Sequence, residues 1–554
     1  MRLNRVLCLA MVWLVPACGA WANPAVDARI AELVAGRAFS PTARLPLPPA
    51  DSVWMDQIYR SMQAVPVWFT NDGPRVSIDT ALHELRTAAE RGLAPQDYDI
   101  GALEQLTEAA KGAAASPDAI ARADIALTAT YLRYLADLRF GRVRPQEVEP
   151  HFRAPAKDAS FVAELRDAVA HDRLADLTAA TEPRFPQYAR LKHLLAAYRE
   201  FATRPATVLP ALPSTPDKVI VGDVYVGVAA LHEELVGLGD LAADSASPVD
   251  GRYSEALAAA VKRFQARHGL VPDGILGKGT LAALNVPPAM RIVQIVLSLE
   301  RMRWIPEPAG GALIAINIPS FQLWAFADGA NADRATLTMP VVAGRAMRTE
   351  TPVFIGEMRY VEFSPYWNVP TSILRNEILP QLATDPNYLV REQMEVVSTR
   401  REQLPPMTDG GTAIAALHSG EARLRQRPGP KNALGGVKFG LPNAMDIYLH
   451  ATPASQLFER ARRDFSHGCI RVGEPAALAQ FVLRGRREWT PAQIEAAMTS
   501  GVNRTVPLEA PIPVIVFYTT AIVDAEGRAR FLDDIYGHDR RLLAALRAAG
   551  RSVV

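Results

Sequence analysis

Cysteine is nearly missing from this 554-residue chain, which has only Cys8, Cys18 and Cys469. A disulfide framework is therefore excluded. Charge of one sign is missing too. Sixty Lys and Arg face fifty-nine Asp and Glu, so no net field draws nucleic acid or an anionic membrane. Beyond the N-terminal segment there is no run of about 18 apolar residues, which excludes a later membrane-crossing helix. No motif recurs at a fixed period, which excludes a solenoid. What is present, 49% hydrophobic and 21% charged residues, is the composition of a globular protein. The length exceeds what one core holds, and three or four domains are expected.

The N-terminus places Arg2 and Arg5 before the apolar run 6–15 and then "PACGAWAN". This order of basic region, short apolar region and Ala20-Trp21-Ala22 predicts a signal peptide over 1–22 and export to the periplasm or cell envelope. A retained anchor and lipidation at Cys18 are the alternatives, although Pro16 fits a lipidation site badly. After cleavage Cys469 would stand alone. A lone cysteine in an exported protein is an intermolecular bridge, a free working thiol or a buried inert residue.

The chain reads as a multidomain α+β protein. Residues 23–203 form a helical scaffold: Leu82, Leu85 and Ala89 recur at helical spacing before Gly92. Ser116 and Pro117 open a helix whose stripe is Leu127, Tyr131, Leu135 and Leu138, and Gly141 stops it. Residues 204–218, with four prolines and no periodicity, read as a stiff linker. Three short helices follow within 219–287. The first carries Leu231, Leu235 and Leu238, the second Leu257, Val261 and Phe264 after Ser254, and the third Leu281 and Leu284. Phe264, Leu270, Ile275 and Leu284 are the residues such a bundle would bury. From about 312 the period changes to that of strands in "LIAINI", "FQLWAF" and "LTMPVVAG". A mostly-β domain over 288–510 is interrupted at 371–430 by a helical capping insertion, read as a lid. The tail, 511–554, adds two strands joined at Glu526-Gly527 and a helix packing on that domain.

The chemistry centres on "RRDFSHGCIRV" (462–472). A free thiol is only a few per cent thiolate at neutral pH, so catalysis needs a base or a positive charge nearby. His467 lies two residues from Cys469. His450 ends "MDIYLH", where a strand would put Met445, Ile447 and Leu449 on one side and Asp446, Tyr448 and His450 on the other. Gly468 permits close approach, and the N–H groups of Gly468 and Cys469 could face a developing oxyanion. Arg471 supplies a fixed positive charge for a substrate carboxylate or for anchoring the loop. An inert cysteine is the bland alternative. A zinc site on His467, Cys469 and another histidine is another, but it lacks the usual ligand spacings.

The string "IYLHATP…FSHGCIRV" resembles the signature of the L,D-transpeptidases with a YkuD-type catalytic domain. "GRYSEALAAAVKRFQARHGL" with "DGILGKGTLAALN" resembles a small peptidoglycan-binding module, wall-binding or purely structural. "SPYWNVPTSILRNEILP" and "RPGPKNALGGVKFGLPN" look like the large Gram-negative subgroup with a capping insertion. The resemblance implies Cys469 as nucleophile and His450 as general base, with Ser466, His467, Gly468 and Arg471 completing the motif. Ala451 stands where many members have Gly or Ser, and its carbonyl would orient the imidazole. Tyr448 and Trp367 are expected to line the substrate. The implied reaction joins peptidoglycan stem peptides by 3→3 cross-links through a thioester, with no metal or organic cofactor. A carboxypeptidase, a protein-to-wall ligase and a non-catalytic wall-binding protein are the rivals.

Overall fold

Short alternating apolar runs from residue 313 onward find their hydrogen-bond partners in one another. In the computed structural model the described residues are 23–37, 49–60, 64–112, 114–205, 208–245, 250–307, 310–385, 387–399 and 410–553. The expected signal peptide, 1–22, lies outside them. The described residues divide into two units, the first comprising those up to Ala89 with Ala94–Arg139 and Asp158–Glu182, the second the remainder.

The first unit is helical around α1 (Pro117–Phe140). Ser116 Oγ accepts the N–H of Ala119 at 3.1 Å, as an N-cap does. Leu127, Tyr131, Leu135 and Leu138 are buried, as their spacing requires. On the same helix the buried Asp124 accepts the N–H groups of Val67 and Trp68 at 2.9 and 2.7 Å and the Tyr59 hydroxyl at 2.6 Å. This carboxylate satisfies two backbone donors just ahead of the short strand Phe69–Thr70.

In the second unit, nine strands among the described residues form one sheet. They are β1 (Leu313–Asn317), β2 (Gln322–Phe326), β3 (Leu337–Gly344), β4 (Phe354–Phe363), β5 (Val437–Gly440), β6 (Leu449–His450), β7 (Asp464–Ser466), β8 (Ile470–Val472) and β9 (Arg504–Phe517). The order is β7-β3-β8-β6-β5-β4-β9-β1-β2, and pairing of β2 with β3 closes eight of them into a ring. Closure removes exposed edges. The ring encloses Ile314, Leu323, Val341, Met358, Val361, Phe439, Leu449, Ile470 and Val514. The parallel pair β6/β8 sets Leu449 opposite Ile470 and His450 opposite Arg471.

Three expected boundaries are corrected. Residues 140–157 and 183–203 belong to the second unit, not to a scaffold ending at 203. The reason is helix α2 (Pro186–Phe201), whose Tyr188, Leu191 and Leu195 pack with Ile295, Val296 and Leu299 of α3 (Pro288–Trp304). The proposed linker 204–218 is partly module: Leu209 is buried in the bundle core, and its N–H and carbonyl bond to the Asn285 side chain. The cut at 510 falls inside β9, a 14-residue strand that pairs with both β4 and β1. In the bundle itself Phe264 and Leu284 are buried. Leu270 and Ile275 are only partly so, and Leu276 takes the core position instead. Residues Ala521–Val523 and Ala529–Phe531 form the hairpin around Glu526-Gly527.

The insertion is not simply helical. Met394–Ser398 and Ala422–Gln426 pair, and Trp367–Asn368 joins as a third strand. Ile373, Leu374, Ile378, Val396, Leu417 and Leu424 make its own core. The alternation in "ARLRQ" was the available signal.

Burial also concentrates charge behind the barrel. Glu300 on α3 is fully buried and accepts Arg142 Nε at 3.0 Å and Arg303 Nη1 at 2.9 Å. Burial alone would raise its carboxyl, but Arg142 and Arg303 hold it below the usual range. At Gly141 (φ +87°) an added Cβ would lie 2.7 Å from Glu300 Oε1, so the chain needs glycine to approach. Glu300→Ala leaves two buried guanidinium groups without their counter-charge. It is expected to cost about 3–5 kcal/mol, read as a fall in the urea midpoint. A loss under about 1 kcal/mol would mean the cluster contributes nothing to holding 140–157 on α3.

Candidate active site

The register of β6 against β8 assembles the site. Leu449 and Ile470 point into the ring, so alternation places Tyr448 and His450 with Cys469 and Arg471 on the other face. The Ile470 N–H donates to the Tyr448 carbonyl at 3.1 Å, which fixes Cys469 alongside Tyr448. His450 sits one same-face step further along, opposite Arg471. The paired strand is shorter than expected. Asp446 turns left-handed (φ +53°), so only Leu449 and His450 make ladder pairs, although the facing of Ile447 to His450 holds.

Cys469 is half-buried, and its thiol donates to the Asp446 carbonyl at 3.5 Å. Burial pushes the thiol above its ordinary value, against the pull of hydrogen bonds from the Tyr448 N–H and hydroxyl and of the Lys438 charge. His450 is buried, and its Nδ1 donates to the Ala451 carbonyl at 2.5 Å. That bond selects the tautomer with a free Nε2 lone pair, the form a base needs. Burial and the charge of Arg471 push the imidazole down to about 3. The resting pair is a neutral thiol with a neutral imidazole.

The loop before Cys469 is built by Ser466. Its Oγ accepts the Gly468 N–H at 3.1 Å and donates to the Cys469 carbonyl at 2.6 Å. This corrects one expectation. The Gly468 N–H is already taken, and the Cys469 N–H is the remaining oxyanion candidate. Gly468 itself adopts φ +115°, which favours glycine. From the barrel side, Thr349 Oγ1 and Thr351 Oγ1 donate to the carbonyls of Ser466 and Gly468 at 2.9 and 2.7 Å. These two threonines, and Lys438 opposite His450 on β5, were missed in sequence. "VKFG" reads only as a strand, and Thr349 and Thr351 sit in a turn more than a hundred residues from the motif.

Other expected residues divide. Arg471 is largely buried with no hydrogen-bond partner at Nε, so it keeps donor capacity. Tyr448 is the neighbour of Cys469 on this face, and its ring centroid lies 5.7 Å from that of His450. Lys438 Nζ lies 4.6 Å over its ring. Trp367 packs against the insertion's core. His467 Nε2 meets Glu377 Oε1 of that insertion at 2.6 Å.

Comparison with known proteins matches three spans of the chain. Residues 311–494 match the L,D-transpeptidase catalytic domain, 226–284 the "Putative peptidoglycan binding domain" and 53–195 the Scaffold domain. The chain carries a YkuD-type L,D-transpeptidase catalytic domain. A curated relative, the "Putative L,D-transpeptidase" of Haemophilus influenzae (strain ATCC 51907 / DSM 11121 / KW20 / Rd), is 31% identical over 249 residues. These are 45% of this chain and 48% of the relative, so the match spans about half the relative's length. Among solved structures, the L,D-transpeptidase (Yku) from Stackebrandtia nassauensis overlaps 57% of this chain and 97% of its own. Its identity is 15% and its TM-score 0.21.

Within the YkuD-type domain, the His467–Glu377 contact ties the loop before Cys469 to the insertion. Glu377→Gln is expected to raise amide hydrogen exchange across 374–384 by about tenfold, a loss of local stability of about 1.4 kcal/mol. Unchanged exchange would show that the insertion is held elsewhere.

Proposed function

We propose that the protein is a cysteine acyltransferase that forms 3→3 cross-links between peptidoglycan stem peptides outside the cytoplasm. The observation that carries this reading is the shared face of Cys469 and His450, with Nδ1 of His450 committed to Ala451 so that Nε2 is free. In the proposed reaction, Nε2 takes the thiol proton as sulfur attacks the carbonyl at the L-centre of a diamino acid, the third residue of a donor tetrapeptide. The amide C–N bond breaks, and the terminal D-Ala amine leaves with that proton. The thioester carbonyl is then attacked by the side-chain amine of an acceptor stem. The amine loses a proton, and the thiol is regenerated.

The Cys469 N–H is suited to the developing oxyanion, and Arg471, with Nε unpartnered, to a substrate carboxylate. The matched peptidoglycan-binding domain and the basic-then-apolar N-terminus agree with action on the wall after export. The test is mass spectrometry of purified disaccharide-tetrapeptide incubated with the enzyme. A cross-linked dimer with loss of one D-Ala is expected. Tripeptide alone would make it a carboxypeptidase, and unreacted substrate would make the module the functional part.

A further inference from the structure

The Cys469 N–H, the donor left for an oxyanion, is half of a peptide unit whose other half is the Gly468 carbonyl. That peptide is trans and planar, so its C=O and N–H point to opposite sides and turn together. Whatever holds the Gly468 oxygen therefore aims the Cys469 N–H. The holder is Thr351, 117 residues upstream, whose Oγ1 donates to that oxygen at 2.7 Å.

The surroundings leave Thr351 no other arrangement. It is 0% exposed, so no water competes for its hydroxyl. The Gly344 N–H donates to the same Oγ1 at 2.8 Å, which leaves the hydroxyl proton for Gly468. An added Cβ at Gly344 would lie 2.0 Å from the Thr349 carbonyl oxygen and 2.6 Å from the Thr351 nitrogen, so the turn 344–351 needs glycine to close on itself. From behind, the Tyr536 hydroxyl donates to the Gly344 carbonyl and accepts the Thr351 N–H at 3.4 Å. Tyr536 is buried and lies beyond the 311–494 span matched to the catalytic domain.

The same turn holds the start of the loop. The Ser466 carbonyl accepts Thr349 Oγ1 and the Arg345 N–H, both at 2.9 Å. Ser466 Oγ occupies the Gly468 N–H. Among the described residues no hydrogen bond takes the Cys469 N–H. A preset donor of this kind counts only in a reaction that builds negative charge on a carbonyl oxygen. When sulfur attacks a carbonyl carbon, the C=O π pair moves onto oxygen, and a fixed N–H meets that charge without having to turn first.

We propose that Thr351 is a positioning residue of the acyl-transfer site. Buried from any substrate, it orients the Gly468–Cys469 peptide so that the Cys469 N–H receives the oxyanion, and Tyr536 braces it. This rests on the acyl-transfer reading above. It gives the C-terminal segment a part in a reaction it does not touch.

The test sets two reactions of one sulfur against each other. Carbapenem acylation passes through an oxyanion. The S–C bond forms, the electron pair returns from oxygen, and the ring C–N bond breaks, its nitrogen taking the thiol proton by way of His450. Iodoacetamide alkylation forms an S–C bond at a saturated carbon and expels iodide, with no oxyanion. Thr351→Val keeps the shape and loses the hydroxyl. It should slow acylation by about ten- to a hundredfold, short of the 10²–10³ of a deleted donor, while alkylation at the same pH stays within about threefold. Thr351→Ser should recover acylation to within about threefold of the wild type. Tyr536→Phe should slow acylation by about threefold or more, again with alkylation unmoved. Three results would each overturn the positioning role: unchanged acylation in Thr351→Val, acylation and alkylation falling together, or Thr351→Ser as slow as the valine variant. Unchanged acylation in Tyr536→Phe overturns the brace. A wild type that forms no carbapenem adduct overturns the acyl-transfer reading itself, and this inference with it.

Discussion

Incubated with a carbapenem, the wild-type protein is expected to gain the mass of one intact drug molecule per chain, and Cys469→Ala none. Cys469 is the only cysteine beyond residue 18, so in protein produced from residue 23 onward no other thiol competes. Three features prepare it for attack on a strained carbonyl. It is half-buried, so the thiolate is poorly hydrated and reactive once formed. Its S–H is held by the Asp446 carbonyl at 3.5 Å. The Ser466 bonds fix the turn that presents it. Intact-protein mass spectrometry checks the result. An unchanged wild-type mass would sink the nucleophile assignment, and an adduct that persists in Cys469→Ala would move it to another side chain.

The second large effect concerns the base. His450→Gln, which fills a similar volume, should slow carbapenem acylation by about 10²–10⁴-fold, the range of a general base. Near-wild-type acylation would hand the role to His467. The pH dependence follows from the two shifted groups. His450, pushed down to about 3, is neutral throughout the neutral range, and the Cys469 thiol, pushed up by burial, stays protonated there. A thiolate forming beside the imidazole supplies the anion that the resting site lacks, and so raises its basicity as the proton moves.

Acylation through the base should therefore be flat across neutral pH, with no inflection between 6 and 7. Alkylation by iodoacetamide, which needs free thiolate, should instead climb about tenfold per pH unit until the raised thiol titrates. The sign is fixed by the thiol: its reactive form appears only as pH rises through its native value. Alkylation that is already at plateau by pH 6 would reveal an imidazolium–thiolate pair and contradict the neutral resting state.

Much of the helical part was legible because its signals are local. Ser116 and Ser254 cap helices through their own hydroxyls, and a 3.6-residue stripe needs no distant partner to be recognised. The strands from 313 onward were legible for the same reason. The cut at 510 failed because β9 is long and reads as two segments until β4 and β1 are both placed beside it. The linker at 204–218 failed because Leu209 becomes a core residue only when Asn285 holds its backbone. The oxyanion expectation at Gly468 failed because a hydroxyl two residues away can compete for the same N–H, and sequence does not give its rotamer.

The residue string by itself determined which atoms could do chemistry: one unpaired thiol, a histidine at a strand end, a glycine able to take φ +115° and a carbonyl after the histidine. Such properties belong to residue type and short-range spacing. Only the tertiary structure decided the rest. Parallel pairing of β6 with β8 put Cys469 and His450 on one face, burial set both as neutral, and Thr351, Gly468 and Tyr536 met at one turn from three distant segments. Register, burial and long-range convergence depend on how strands close and helices pack, and no local pattern encodes them.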